Sequence, residues 1–222
     1  MDRAILSKRI TSILSDITRL TNTLYALNMT DVQRYLENYE VLSADAAHRG
    51  ELIACRLRHL YYAPTQKDRS DYLETAADEM GISVQMKDGI VEITVPSLMP
   101  RRKQWQNTEF LLDPFSAALS RFASEHGVPR MEHCTGCFVL CYDKELPDRR
   151  VCDYDNLELK RVLDAAAAYF LPDDSGLFYD AYYTTELGER DCTKLYLMES
   201  DRYPEWLAER RAERRFDGSF AP

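Results

Sequence analysis

The sequence predicts an α+β protein of 222 residues in which helices come first and strands follow. In the first 62 residues, apolar side chains recur every three or four positions, as they do on one face of a helix. After Gly81 the period falls to two, which is typical of strands. Hydrophobic residues make up 45% of the chain and charged residues 29%, a balance that allows a buried core.

The first two predicted elements are long helices. The first carries an apolar seam with 4-3-4-3-4-3 spacing, formed by Leu6, Ile10, Ile13, Ile17, Leu20, Leu24 and Leu27. This seam predicts packing on another helix, either as an antiparallel pair within the chain or, alternatively, as an intermolecular coiled coil. Thr30 with Gln33 is typical of a capping box that opens the second helix. That helix is expected to run to Tyr62, with a break near Gly50.

The later elements alternate between helices and strands. Ser70 is expected to cap a third helix, which Gly81 ends. A β-hairpin over residues 83–86 and 90–95 is predicted to turn at Asp88-Gly89. The pattern then predicts a helix at 113–125, a strand at 137–142, a helix at 156–170, strands at 177–184 and 193–198, and a charged helix at 204–215.

Composition restricts the classes of function. Lys and Arg number 28 against 37 Asp and Glu, so the net charge is −9, and such a charge disfavours nucleic-acid binding because it repels phosphate. No apolar run approaches the roughly 20 residues of a membrane helix, and no signal peptide is visible. The six cysteines are typical of reduced thiols, which predicts a cytoplasmic protein.

Acidic residues concentrate between Pro147 and Asp174. Asp153 and Asp155 are two apart, so in an extended segment both side chains point to the same side. Asp173 and Asp174 follow the predicted helix and approach the first pair if the next strand lies beside residues 137–142. Grouped carboxylates repel one another unless a cation or a proton is shared. Oxygen ligands without His or Cys suit Mg²⁺ or Mn²⁺.

A purely structural interpretation of these residues is also open. Asp155 with Glu158 forms a good N-cap and capping box for the predicted helix. Asp173 and Asp174 precede Ser175-Gly176, a sequence typical of a turn. Neither feature requires a metal ion.

The run PDRRVCDYDNL at residues 147–157, followed by Lys160, Asp164 and then Asp173-Asp174, resembles the motif of the RusA family of Holliday junction resolvases. The likeness extends over residues 90–200, including the strand and Pro-containing loop at 90–100 and the closing strands at 177–184 and 194–198. The resemblance implies a mixed sheet with packed helices and a homodimeric, Mg²⁺-dependent endonuclease. Its substrate would be branched DNA, cut during recombination and repair in a phage or mobile element.

The resemblance also implies roles for single residues. Asp153, Asp155 and Asp174 would bind the metal, with Asp173 beside them, and Lys160 would be the catalytic lysine. Lys160 stands four positions after Asn156, where the family normally has three, but both spacings stay on one helix face. DNA contacts are expected from Asn156 and from basic residues in loops flanking the site, namely Arg101, Arg102, Lys103, Arg149 and Arg150.

The chain is therefore expected to comprise a helical segment at residues 1–89, a RusA-like nuclease domain at 90–200 and a charged C-terminal helix and tail at 201–222. Residues 1–89 have no counterpart in the RusA family, and they are expected to reinforce a dimer or to bind a partner protein. The layout is also similar to an uncharacterised family from bacterial mobile elements. Two other functions stay open, a non-catalytic interaction protein that keeps the fold and a Mg²⁺-dependent phosphatase or nucleotidase.

Three further groups have two interpretations each. His133, Cys134 and Cys137 are zinc-ligand types, but Cys137 and Cys141 on one strand face are more simply buried thiols. Tyr179, Tyr182 and Tyr183 would stack on bases or, more often for such a pattern, pack in the core. Arg210, Arg211, Arg214 and Arg215 alternate with glutamates, which is typical of a solvated helix.

Overall fold

The computed structural model describes residues 3–62, 69–100, 109–127, 130–145 and 151–216, without the side chains of 213–216. The chain divides into two compact units, Met1–Arg69 with Gln104–Leu111, and Ser70–Lys103 with Leu112–Pro222. The described helices and strands confirm the α+β class and the N-terminal helical pair.

The elements follow in this order: α1 (Arg3–Asn28), α2 (Leu36–Tyr62), α3 (Arg69–Met80), β1 (Ser83–Lys87), β2 (Ile90–Val95), α4 (Glu109–His126), β3 (Cys134–Asp143), α5 (Leu159–Phe170), β4 (Tyr179–Gly188), β5 (Cys192–Glu199) and α6 (Tyr203–Phe216). Short 3₁₀ turns lie at Tyr154–Asn156 and Ser200–Arg202. No helix in these described ranges is long and apolar enough to cross a membrane.

In the first unit, α1 and α2 form an antiparallel pair within the chain. The Thr23 hydroxyl donates to Asp45 at 3.0 Å, whereas Arg56, later in α2, donates to Ser12, earlier in α1, at 3.2 Å. The two helices thus run in opposite directions, as predicted for an antiparallel pair within the chain. The pairing buries Ile13 to 5% exposure, but the predicted seam is wrong for three of its residues, because Ile10, Ile17 and Leu24 stay 39–48% exposed.

The start of α2 differs from the prediction. The Thr30 hydroxyl donates to the carbonyl of Ala26 at 2.8 Å, so it serves the end of α1 and does not cap α2. Asp31 Oδ1 accepts from the backbone N–H of Gln33 at 3.0 Å, and α2 begins five residues later at Leu36. The expected break at Gly50 is also wrong, because α2 continues through it. A glycine costs a helix only about 1 kcal/mol, which tertiary packing outweighs.

Arg58 in α2 is buried and donates hydrogen bonds to backbone carbonyls at the start of α4. Pro114 lies inside α4 and has no N–H, so the carbonyl of Phe110 lacks its usual donor four residues later. Arg58 Nη2 donates to that carbonyl at 2.8 Å, and Nη1 donates to the Glu109 carbonyl at 3.2 Å. Arg58, at 6% exposure, therefore satisfies a backbone acceptor that the proline leaves open.

The second unit contains a five-stranded sheet in the order β1-β2-β5-β3-β4. Its β3–β4 pair is parallel and the other pairs are antiparallel, so the sheet is mixed. The predicted hairpin is confirmed, with positive φ angles of 52° at Asp88 and 77° at Gly89. The expected boundary after residue 89 falls inside this hairpin, whereas the two units divide after residue 69, because β1 pairs with β2 along its whole length.

Alternate residues of the strands pack on opposite faces of the sheet. One face carries Gly136 and Phe138 of β3, and α5 approaches so closely that a Cβ on Gly136 would lie 3.1 Å from a Leu163 methyl group. The other face carries Cys137, which clusters with Tyr196 of β5 and with Trp206 of α6.

The C-terminal helix α6 packs against the sheet with one of its sides. Trp206 is 7% exposed, and Arg210 forms two hydrogen bonds of 2.8 and 2.9 Å to Glu186 of β4. The predicted solvated helix is wrong for the side of α6 that packs on the sheet. Arg211 on the same helix is exposed. One side of α6 thus packs on the sheet through Trp206, while the other side faces solvent.

The cysteines at 134 and 137 do not form a zinc site. They are three positions apart on β3, so their side chains point to opposite faces of the sheet. Burial raises the pKa of Cys134 to about 12, which keeps the thiol protonated and a poor ligand. Cys137 and Cys141 share one face and are buried, as the simpler interpretation predicted.

Candidate functional site

The acidic segment that follows β3 lies along the face of β4. The backbone N–H of Cys152 donates to the Tyr142 hydroxyl at 3.1 Å, near the end of β3. Two residues later, Tyr154 contacts Thr185 of β4. Leu157 is buried at 6% exposure, and the N–H of Glu158 donates to the Pro100 carbonyl at 2.9 Å. The described residues 151–158 are thus anchored at several points.

Tyr154 is the central anchor of this segment. Its hydroxyl and Thr185 Oγ1 share a hydrogen bond of 2.9 Å. Its ring stacks on Tyr183, with centroids 5.5 Å apart and an interplanar angle of 25°. Tyr183 in turn stacks on the buried Phe138, with centroids 5.9 Å apart. This stack connects the acidic segment to the core of the sheet.

The anchoring leaves Asp153 and Asp155 on the outside. Cys152 and Tyr154 are partly buried, whereas Asp153 and Asp155 are exposed. The alternation expected from their spacing of two is therefore present. Both line an open cleft of about 640 Å³, whose other lining residues are Val151, Cys152, Tyr154, Tyr183 and Thr185. The residues described around this cleft carry two negative charges and no positive one.

The capping interpretation of Asp155 is wrong. Asp155 lies in the 3₁₀ turn Tyr154–Asn156, and α5 begins only at Leu159. The N-cap position of α5 belongs to Glu158, and in the described segment around this helix start the Glu158 side chain makes no capping hydrogen bond. The predicted helix from residue 156 is divided because Leu157 turns into the core with an extended ψ of 149°. Helix capping therefore does not explain why Asp155 is present.

Lys160 lies on the first turn of α5 and is paired with Asp164. Its Nζ donates to both carboxylate oxygens, at 2.7 and 2.8 Å, on an exposed helix face. The hydrogen bond to Asp164 raises the pKa of Lys160, and the charge of Asp174 acts in the same direction. Lys160 is therefore protonated at neutral pH and offers a positive charge, not a base. Such an exposed i,i+4 pair is worth only about 0.3–0.5 kcal/mol, so a phosphate can replace its carboxylate partner.

The second acidic pair lies in the turn between α5 and β4. Asp173 Oδ1 accepts from the backbone N–H of Ser175 at 3.2 Å, which is the turn contact that its sequence predicts. Asp174 is exposed and acts on Lys160 through its charge. Neither residue lines the cleft that holds Asp153 and Asp155. The structure thus places Asp174 with Lys160 and Asp164, separate from the first pair.

The donor set partly fits a divalent cation. Within the described ranges, no group of three or more His, Cys, Asp or Glu side chains is close enough to hold one metal ion. Mg²⁺, however, is commonly bound in enzymes through one or two carboxylates, with waters and substrate phosphates completing its shell. Asp153 and Asp155 supply the hard oxygen atoms for such a site.

Several predicted DNA contacts lie outside the described residues, namely Arg101, Arg102, Lys103, Arg149 and Arg150. Asn156 is described, is exposed, and closes the 3₁₀ turn through an N–H donated to the Asp153 carbonyl at 3.1 Å.

Sequence reasoning missed Tyr154 and Thr185 as residues of the cleft. Tyr154 stands between the two aspartates, and the i,i+2 spacing of Tyr183 and Thr185 indicates that both share one strand face. The structure does not decide between base stacking and core packing for Tyr183. Its ring stacks on Phe138 within the protein, yet 42% of the residue is exposed. Tyr182 is 44% exposed and stacks on Tyr203, on the other face of β4.

A protein-family model described as "Family of unknown function (DUF6100)" matches residues 2–217. Because the match spans nearly the whole sequence, the chain belongs to this family. No curated protein matches the chain.

Proposed function

For this member of the DUF6100 family, we propose a Mg²⁺-dependent endonuclease that cleaves branched DNA, with Asp153 and Asp155 as the main metal-binding residues. The observation that carries the proposal is the pair of exposed carboxylates in one cleft of about 640 Å³, on a segment anchored from both sides. Two negative charges on an anchored segment, with no positive charge among the described residues that line the cleft, favour cation binding. The RusA-like motif around them supplies the reaction class.

Each remaining residue of the proposed site contributes by its charge. A bound Mg²⁺ ion would neutralise phosphate charge and lower the pKa of a bound water. Asp173 and Asp174 lie outside the lining of the cleft, so they would add negative charge in the turn before β4 and would not be direct ligands of the same ion. Lys160, whose pKa the contact with Asp164 raises further above neutrality, would exchange this partner for a DNA phosphate.

The substrate and the assembly are part of the same proposal. A four-way junction has two strands to cut, so two copies of the site in a homodimer suit it. Basic residues at 101–103 and 149–150, with Asn156, would bind the DNA backbone. The six free thiols agree with a reducing compartment, and we place the protein in the cytoplasm of a cell that carries a mobile element, acting in DNA recombination and repair.

A second candidate is a non-catalytic protein that binds branched DNA or a partner protein of the mobile element. The observation that favours it is that the described carboxylates do not converge as a three-ligand group. The first unit also leaves large apolar side chains exposed, including Met29 at 83% and Val41 at 65%, which is typical of a binding surface.

One experiment separates the two candidates. The full chain is incubated with a labelled four-way junction and with a linear duplex of the same sequence, in Mg²⁺ and in EDTA. The variants are Asp155→Asn and, as a matched control, Asp201→Asn, which changes an exposed aspartate far along the chain. Cleavage and binding are both measured, and circular dichroism checks that each variant is folded.

The endonuclease proposal expects Mg²⁺-dependent cuts in the junction only, lost in Asp155→Asn and retained in Asp201→Asn. Junction binding without cutting in Mg²⁺ would overturn catalysis and support the second candidate. Release of inorganic phosphate from nucleotides offered in the same two buffers, with no action on DNA, would instead support a phosphatase or nucleotidase. Absence of both binding and cutting would overturn any role on branched DNA.

A further inference from the structure

A pocket of about 320 Å³ lies between α1 and α2 in the first unit, away from the acidic segment in sequence. It is lined by Arg9, Ser12, Ile13, Arg56, His59 and Leu60. Polar donors therefore face the same space as the side chains of Ile13 and Leu60. A volume of this size suits a small ligand.

The antiparallel pairing of the helices brings these residues together. Arg56 in α2 contacts Ser12 in α1 at 3.2 Å, and one helical turn further on, Arg9 and His59 occupy the next level of the same groove. Ile13 is 5% exposed and forms the apolar floor. The pocket is thus a consequence of the helical register.

Arg56 is held in place by residues of α1. Its Nη1 donates to Ser12 Oγ and also to Asp16 Oδ2. The Asp16 side chain is only 13% exposed, so the ion pair is partly shielded from solvent. The Nε and Nη2 donors of Arg56 make no hydrogen bond to another residue within the described ranges. A guanidinium that is fixed at one nitrogen keeps its other donors for a ligand with little further loss of entropy.

The surroundings of the pocket are basic in a protein that is acidic as a whole. Residues 3–12 and 56–62 contain five Lys or Arg and no Asp or Glu, although the chain carries a net charge of −9. Arg58 is committed to the backbone carbonyls at the start of α4, and Asp16 offsets one of the other charges. The balance around the pocket remains positive, with Arg9 exposed and without a partner among the described residues.

We propose that this pocket binds a phosphate group, carried either by the DNA backbone or by a free nucleotide. Two guanidinium groups, a hydroxyl and an imidazole are the donors that recognise phosphate oxygens. The apolar walls lower the local dielectric and strengthen these contacts. The inference goes beyond the proposed cleavage site, because it assigns a binding role to the helical segment and requires no metal ion.

The test uses the full chain in EDTA, so that cleavage plays no part. Binding of a labelled linear duplex is measured by fluorescence anisotropy, and binding of inorganic phosphate and of adenosine monophosphate by calorimetry. Arg9→Gln and His59→Gln remove pocket donors. Arg19→Gln is the matched control, since it removes an exposed arginine of the same helix outside the pocket.

Arg9→Gln is expected to weaken binding at least about tenfold, as for the loss of one charge-assisted hydrogen bond, whereas Arg19→Gln should change it less than about twofold. A loss confined to the duplex assigns the phosphate to DNA, and a loss confined to phosphate and the nucleotide assigns it to a free ligand. Equal weakening by Arg9→Gln and Arg19→Gln would show a general effect of charge and overturn the proposal. Absence of binding of all three probes to the unmodified protein would overturn it as well.

Discussion

Removing the side chain of Tyr154 should release the acidic segment without unfolding the sheet. Tyr154 stands between Asp153 and Asp155 and attaches them to β4 through its contacts with Thr185 and Tyr183. Two variants separate these contacts, because Tyr154→Phe removes only the hydroxyl and Tyr154→Ala removes the ring as well. Neither variant changes a carboxylate of the proposed metal site.

The magnitudes follow from the two contacts. The hydrogen bond of 2.9 Å to Thr185 is partly buried, so its loss in Tyr154→Phe should cost about 1 kcal/mol. The stack on Tyr183 adds about 0.5–1.5 kcal/mol, and the lost apolar burial of the half-buried ring adds roughly 1–2 kcal/mol. Tyr154→Ala should therefore cost about 3 kcal/mol, most of it in the stability of residues 151–158.

Three measurements test this expectation. Urea denaturation gives the free energy of unfolding of each variant, and a double-mutant cycle with Thr185→Val should give a coupling energy of about 1 kcal/mol. Hydrogen exchange should accelerate at the N–H of Asn156, which the Asp153 carbonyl accepts at 3.1 Å. Junction cleavage in Mg²⁺ should fall much further in Tyr154→Ala than in Tyr154→Phe, because a mobile segment no longer presents both carboxylates together.

The control is Tyr182→Ala, which removes a stack of 4.5 Å with Tyr203 on the opposite face of β4. It should lower stability while leaving cleavage and the exchange at Asn156 nearly unchanged. Additive effects of Tyr154→Phe and Thr185→Val, or equal losses of cleavage in Tyr154→Ala and Tyr182→Ala, would refute the positioning role of Tyr154.

Three further predictions concern stability, each read from denaturant unfolding. Arg58→Met should cost about 2 kcal/mol by leaving the partly buried Phe110 carbonyl unsatisfied, and this cost should shrink when Pro114→Ala restores a backbone N–H. An undiminished cost would contradict the assignment. Burial raises the pKa of Glu92, but the hydrogen bond from Lys194 at 2.8 Å outweighs burial, and the net pKa is lowered. The ionised carboxylate therefore stabilises the fold above about pH 4.5, and this stabilisation is lost as the pH falls through the folded pKa. Glu92→Gln should accordingly be less stable than the unmodified protein at pH 7, and the difference should shrink as the pH falls through the folded pKa of Glu92; a constant difference would argue against the ion pair. Gly136→Val should cost about 1–3 kcal/mol, because even its Cβ lies 3.1 Å from a Leu163 methyl group, and an unchanged midpoint would show that α5 can move away.

Helix starts were the least predictable local features, and Thr30 and Asp155 show why. Both residues have good capping chemistry and precede an apolar run by the appropriate spacing. The Thr30 hydroxyl donates back to the Ala26 carbonyl, and Leu157 leaves the predicted helix to enter the core. A side chain with several possible partners takes the one that the completed fold brings within reach, and local sequence does not encode that choice.

The alternation around Asp153 and Asp155 was predictable because it depends only on backbone period. Residues two apart on an extended segment share a side, whatever the segment packs against. The position of Asp174 was not predictable in the same way. Its distance from the first pair depends on how the α5 crossover returns to β4, which is a property of the whole sheet.

The sequence by itself determined the local elements of this protein: the helix α1, the hairpin at Asp88-Gly89, and the paired exposure of Asp153 and Asp155. Each follows from interactions between residues that are near in the chain. Only the tertiary structure decided that Tyr154 attaches the acidic segment to β4, that α6 covers the second face of the sheet, and that Arg58 replaces the donor missing at Pro114. The contact of Tyr154 with Thr185 joins residues 31 positions apart and that of Arg58 with Phe110 joins residues 52 apart, and such contacts form only when the core has brought distant segments together.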